Sequence, residues 1–210
     1  MKVVITGKSA ELVEKKSRFI AQVYSVKNAD EANIYIEETR KKYWDARHNC
    51  YAYVIGQRQE IKKFSDDGEP SGTAGKPILD VIEKGGITDC LVIVTRYFGG
   101  VLLGTGGLVR AYQGSALMAI GESELGELTD CVVMDLQLDY GVYNRFEYMC
   151  KERDVDILEK EYVQYVNVKV GLLPGKESDF LTEVAKITGG KDVVKDRKIV
   201  TITKSYTGSS

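Results

Sequence analysis

Two periods of apolar residues divide the chain. In the first part, β-branched and aromatic runs predict strands at Val3–Ile5, Arg18–Val26, Asn49–Ile55 and Asp89–Tyr97. The last, DCLVIVTRY, is the most apolar and is expected to be central. A turn plus a short strand ending at Phe64 is read over residues 56–64. Helical spacing predicts a helix over Ala29–Tyr43 with Ala32, Tyr35, Ile36 and Thr39 on one face and Asn28 as its cap. Arg40, Lys41 and Lys42 in its last turn suit the negative helix end. A second helix is read from Thr73, as N-cap, to Lys84. A third runs Leu108–Gly121, with Leu108, Val109, Tyr112, Ala116, Ala119 and Ile120 inward.

Beyond the polar stretch Gly121–Asp130 the pattern changes. Val132, Met134, Leu136, Leu138 and Tyr140 alternate with Asp135, Gln137 and Asp139, as on a half-buried strand. A helix follows (Val142, Phe146, Met149 and Cys150 inward), then strands near Asp154–Glu161 and Val163–Leu172. A helix over Glu177–Thr188 and a strand over Lys198–Lys204 complete the order βαββαβ, the ferredoxin-like arrangement. The fold class is therefore α+β in two domains, residues 1–126 and 127–205, with 206–210 as a tail.

Composition narrows the function. The chain is 43% hydrophobic and 29% charged, and no apolar run approaches the roughly 20 residues of a membrane span. No signal-peptide pattern opens it. Cys50, Cys90, Cys131 and Cys150 are far apart and lie in apolar segments, which predicts buried thiols in a reducing cytosol. Residues 1–126 carry 17 basic and 16 acidic side chains, and residues 127–210 carry 12 and 15. The acidic second half is unlike a strongly basic nucleic-acid module. Its open sheet face would carry Asp135 and Asp139 and has no evident aromatic pair for stacking bases.

The candidate chemistry lies in residues 65–119. Ser65–Thr73 holds Asp66, Asp67, Glu69, Ser71 and Thr73 among Pro70 and two glycines, and reads as a loop. Its carboxylates have the oxygen chemistry of a Mg²⁺ site; capping and turn bonding by the same side chains is the plainer account. Gly75-Lys76 is not a phosphate loop, because Pro70 and Pro77 stand where Gly and Ser/Thr belong. Arg96-Tyr97-Phe98-Gly99-Gly100 then leads to Gly104-Thr105-Gly106-Gly107 and Arg110. Backbone N–H groups at Thr105, Gly106 and Gly107 would face an anion, with Arg96 and Arg110 as cations. Alternatively the glycines serve tight helix–strand packing. Arg47, His48 and Asn49 form a polar cluster at a strand start. His48 is the only histidine, and no nucleophile-elbow motif accompanies it, so no hydrolase triad is readable.

Four blocks together resemble the IMPACT family in its bacterial YigZ-like branch. They are KSRFIA from Lys16, HNCYAY from His48, SDDGEPSGTAGKPI from Ser65, and VTRYFGG through LGTGGLVRAY from Val94 to Tyr112. Arg47 stands where the family often has Thr. The resemblance implies that the first domain has the β-α fold of domain IV of elongation factor G and the second that of domain V. It implies a translation-associated or stress-regulatory binding protein in the cytoplasm, whose partner is RNA, the ribosome or a ribosome-associated protein. The expected surface comprises Arg47, His48, Asn49, Asp66, Asp67, Glu69, Ser71, Thr73, Lys76, Arg96, Tyr97, Gly99, Gly100, Gly104, Gly106, Gly107 and Arg110. No cofactor and no catalytic residue is assigned. The alternative is a phosphometabolite-binding protein or enzyme, in which Mg²⁺ would sit on Asp66, Asp67 or Glu69.

Overall fold

The computed structural model describes residues 1–205, and the chain divides into two compact units, Met1–Leu128 joined by residues from Thr203, and Thr129–Ile202. The expected α+β class in two domains holds. Among the described residues no helix is long and apolar enough to cross a membrane.

The first unit is built on a five-stranded antiparallel sheet. Its strands are β2 (Ser9–Glu14), β3 (Ser17–Ser25), β4 (His48–Ile55), β5 (Ile61–Ser65) and β7 (Cys90–Tyr97), in the order β2-β3-β7-β4-β5. β7 is central, as its apolar content predicts. Both faces of β4 and β7 are buried because helices cover both sides. Alternate residues Cys50, Ala52, Val54, Cys90, Val92 and Val94 pack in the core that also holds residues of α2 (Gly75–Lys84) and α3 (Thr105–Glu122). Tyr51, Tyr53, Ile55, Leu91 and Ile93 pack with Ala32 and Ile36 of α1 (Ala29–Lys42). Asn28 caps α1 by accepting from the Glu31 backbone, as expected. A smaller set, β6 (Ile87–Thr88), β1 (Lys2–Thr6) and the start of β8 (Glu124–Leu138), completes this unit.

Several local expectations are corrected. β2 was not foreseen: only Ala10 and Leu12 of its six residues pack against the core, both just partly buried, and it joins β3 through a two-residue turn of Lys15 and Lys16, both at positive φ. Lys15 and Lys16 are thus the hairpin tip. Thr73 does not cap α2. Its hydroxyl donates to the Pro70 carbonyl, and Ala74 occupies the cap position. In α3, Ala111 and Ser115 are buried, whereas Val109 is only partly so. Within the polar stretch 121–130, β8 starts at Glu124.

The second unit has the strand order β11-β8-β10-β9, with β9 Asp156–Tyr162, β10 Val166–Leu172 and β11 Val194–Ser205. Helices α4 (Tyr140–Glu152) and α5 (Glu177–Thr188) pack Phe146, Met149, Phe180 and Val184 on one sheet face with Val132, Met134, Leu136 and Leu138. This is the ferredoxin-like topology expected from βαββαβ. Tyr140, read as strand, instead opens α4 and is exposed. Residues 206–210, read as a tail, lie outside the described residues.

Candidate functional site

Strand register assembles the site. β7 lies between β3 and β4, and Arg96 stands opposite Phe19 on one side and His48 on the other. Side chains alternate along a strand, so Phe19, Arg96 and His48 face the α2/α3 side with Cys50 and Val94. Asn49 turns to the opposite face, where its Oδ1 accepts from Thr95 Oγ1 at 2.7 Å. His48 and Asn49, read as one cluster, are therefore on different sides of the sheet.

The acidic loop folds back over this row. Asp67 and Gly68 have positive φ, and the Glu69 N–H donates to the Asp66 carbonyl at 2.8 Å, closing a tight turn. Its three carboxylates then go to three different elements. Asp66 Oδ1 accepts from the backbone of Ala74 at 3.0 Å and Gly75 at 2.8 Å, and Oδ2 from Gly72 at 2.8 Å. It thus does from a distance what Thr73 was expected to do locally. Asp67 accepts from the Asn49 backbone at 2.7 Å and from Arg40 at 3.1 Å, so Arg40 does more than compensate a helix dipole. Glu69 points inward. The carboxylates do not converge, and among the described residues no three His, Cys, Asp or Glu groups gather as a metal site.

Glu69 is the centre of a buried polar chain. Its Oε1 accepts from Arg96 Nη1 at 2.6 Å and from Tyr112 Oη at 2.9 Å. The Cys50 thiol donates to the Tyr112 hydroxyl at 3.3 Å and lies 3.0 Å from the Asp66 carbonyl. Burial pushes both the Cys50 thiol and the Tyr112 phenol well above their ordinary values, so neither is a nucleophile at neutral pH. The Arg96 guanidinium also lies over the rings of Phe19 and Phe98, at 5.4 and 5.6 Å. His48 Nδ1 lies 2.8 Å from the Asp67 carbonyl and donates to it. This turns Nε2 toward Glu69 Oε1, which it approaches only to 3.8 Å.

Above the chain opens a cleft of about 420 Å³. Arg47, His48, Glu69 and Arg96 line it, with Phe98, Leu102, Gly104 and Thr105. Arg47 is exposed, with its guanidinium 5.8 Å from the Phe98 ring centre. Gly104 has φ +73°, a conformation that favours glycine, and ends the loop at the start of α3. Gly106 and Gly107 follow in the first turn.

The other expected residues lie elsewhere. Lys76 is exposed and paired with Asp80 at 2.7 Å along α2. Arg110 lines a separate cavity with Glu14, Lys15 and Gly107. Tyr97 donates to Asp45 at 2.8 Å, and Ser71 is exposed on the loop. Gly99 serves packing: a Cβ there would meet the Lys16 carbonyl carbon at 2.0 Å, and its N–H donates to Ser17 Oγ. Gly100, at φ +82°, has open space around it. Tyr112, Cys50, Phe98 and Leu102 were not foreseen at the site. The apolar pair Val101-Leu102 after the glycines carried a signal, since both are exposed while only the next residue, Leu103, packs against the core.

The comparisons agree with this architecture. A family model described as the Impact N-terminal domain matches residues 15–120, and one described as Domain of unknown function (DUF1949) matches residues 136–191. The IMPACT family member YvyE of Bacillus subtilis is 36% identical over 93% of this chain and 90% of its own length. The IMPACT family member YigZ of Escherichia coli is 36% identical over 84% and 87%. A crystal structure titled as that of a hypothetical protein aligns over 96% of both chains, with 32% identity and a TM-score of 0.60. With a buried Arg96–Glu69 core under a glycine-bounded cleft, and a ferredoxin-like second unit, the chain belongs to the IMPACT family.

Proposed function

We propose that this protein regulates translation by docking a ribosome-associated partner on the face formed by Arg47, Phe98 and Leu102. The observation that carries the reading is the pairing of an apolar, exposed loop with a single cation over a neutralised interior. Leu102 is 82% exposed and Phe98 40%, in a loop where neither supports a core. Large apolar side chains presented next to an arginine are the usual anchors of protein interfaces. The ionisable groups beneath are bound to one another, which favours recognition over acid–base chemistry. Family membership supports a role in translation control, which the resemblance implies.

Co-sedimentation with ribosomes over a salt series tests this. The full chain should pellet with ribosomes, and Leu102→Asp should remain in the supernatant while keeping its circular dichroism spectrum. A shallow salt dependence is expected for a protein contact; a loss of several decades between low and moderate salt would assign the contact to RNA phosphates instead. Pelleting by neither protein, or by both equally, would overturn the assignment.

A further inference from the structure

We propose that the docking face takes an acidic segment of the partner protein, one with carboxylates on both sides of an apolar residue. This inference rests on the docking reading above and names the chemistry of its partner. Two cavities of the first unit meet at Leu103, which lines both. One is the cleft of about 420 Å³, with Arg47, Phe98 and Leu102 in its lining. The other, of about 260 Å³, is lined by Leu12, Glu14, Lys15 and Arg110. Val101 and Leu102, just before Leu103 in the chain, are both exposed. A segment lying across Leu103 meets apolar side chains in the middle and cations on each side.

The charges lining the two cavities are of two kinds. Arg96 and Glu69 are paired with each other at 2.6 Å. Arg47, Lys15 and Arg110 are exposed and make no ion pair among the described residues. Arg47 has only the Phe98 ring, 5.8 Å away. Glu14 is the one lining carboxylate without a cation, so the second cavity keeps one positive charge and the cleft another. Carboxylates supplied on both sides of Leu103 neutralise both, and each guanidinium offers a carboxylate two parallel N–H groups.

A polypeptide fits these groups better than a nucleic-acid strand does. His48 lines the cleft, and its Nδ1 donates to the Asp67 carbonyl. Nε2 is then an acceptor, and Glu69 Oε1, 3.8 Å away, is another. Glu14 adds a carboxylate in the second cavity. Acceptors call for N–H donors, which a peptide backbone carries beside its acidic side chains. The same carboxylates repel a chain of phosphates. The Phe98 ring has the Arg47 and Arg96 guanidiniums 5.8 and 5.6 Å from its centre, so it is already engaged where a base would stack. Leu12, Leu103 and Ala111 give the second cavity an apolar wall.

The test is an amide-resolved NMR titration of the full chain with three probes. They are the end-blocked peptide Glu-Asp-Leu-Leu-Asp-Glu, its Gln/Asn counterpart and hexauridylate. The amides of Lys15, Arg47, Leu102 and Leu103 should shift saturably with the acidic peptide, and the neutral one should bind at least about tenfold more weakly. Arg47→Glu and Arg110→Glu should each weaken the acidic peptide about tenfold, for one lost charge-assisted contact. Lys151→Glu, the same charge change at an exposed residue of the second unit, should titrate like the parent chain. No saturable shift, equal affinity for the two peptides, or an equal effect of Lys151→Glu would overturn the acidic partner. Tighter binding of hexauridylate at the same amides would overturn it in favour of RNA. In the ribosome assay, Arg110→Glu should pellet less than the parent. If it pellets like the parent while Leu102→Asp does not, the docking face stands and the acidic partner falls. Failure of the parent itself to pellet would instead overturn the docking reading.

Discussion

Arg96 Nη1 donates to Glu69 Oε1 at 2.6 Å, and both side chains are almost fully buried, at 7% and 3% exposure. The pair ties the central strand to the acidic loop and sits directly beneath the cleft. An arginine read from sequence as a ligand-facing cation thus lines the cleft with its Nη1 paired to Glu69. Removing one partner of such a pair leaves the other charge buried, at a cost of about 3–5 kcal/mol. Glu69→Ala and Arg96→Ala are each expected to destabilise the first unit by this amount in urea unfolding. The double change Glu69→Leu with Arg96→Met should recover much of the loss. Equal destabilisation that simply adds in the double variant would contradict the pairing.

Tyr112 supports the same carboxylate. Its hydroxyl bridges Glu69 and the Cys50 thiol. Tyr112→Phe removes one hydrogen bond to a charged acceptor and should cost about 1.5–3 kcal/mol, read as a shift of the urea midpoint with unchanged slope. A cost near zero would mean that Glu69 is satisfied by Arg96 alone.

Asp66 holds the start of α2 through three backbone N–H groups. Asp66→Ala should destabilise by about 1–2 kcal/mol, and Asp66→Asn by less, since an amide oxygen still accepts. Hydrogen exchange checks the location. The amides of Gly72, Ala74 and Gly75 should lose protection before the rest of α2.

Alkaline pH should weaken the fold through the buried thiols. Burial raises Cys90 to about 12 and Cys50 higher still. A thiol raised in the folded state gives stability that is intact below its unfolded value near 9. Above that, the unfolded chain releases a proton that the folded chain keeps, so stability falls by about 1.4 kcal/mol per pH unit per thiol. For Cys90 the decline ends near pH 12. Urea midpoints measured from pH 8 to 10.5 should show this slope, and Cys90→Ala should make it shallower. An unchanged slope in that variant would place the effect elsewhere.

Much was legible from the chain because it depends on neighbours in sequence. Asn28 and the apolar positions Ala32, Ile36 and Thr39 define α1 by a cap and a 3.6-residue period. Glu177–Thr188 is a helix ending at Gly189, whose φ of +67° terminates it. The unbroken apolar content of residues 90–94 marks a strand buried on both faces. These are periodicities of local hydrogen bonding, and composition alone reveals them. The second unit's βαββαβ order follows in the same way.

Only tertiary structure decided which polar groups meet. Asp66, Asp67 and Glu69 look equivalent in sequence, yet a turn at Asp67-Gly68 sends one to a helix start, one to α1 and β4, and one into the core. His48 and Asn49 are neighbours in the chain and face opposite sides of the sheet, because successive strand side chains alternate. Arg96 meets His48 through strand register, while Lys76 finds Asp80 one helical turn away instead of the cleft. β2 escaped notice because only Ala10 and Leu12 mark its inner face and its hairpin turn is built of two lysines, without the glycine or asparagine that marks such turns. Spacing along the chain sets local geometry; long-range register and burial choose each charge's partner, and those depend on the whole packed sheet.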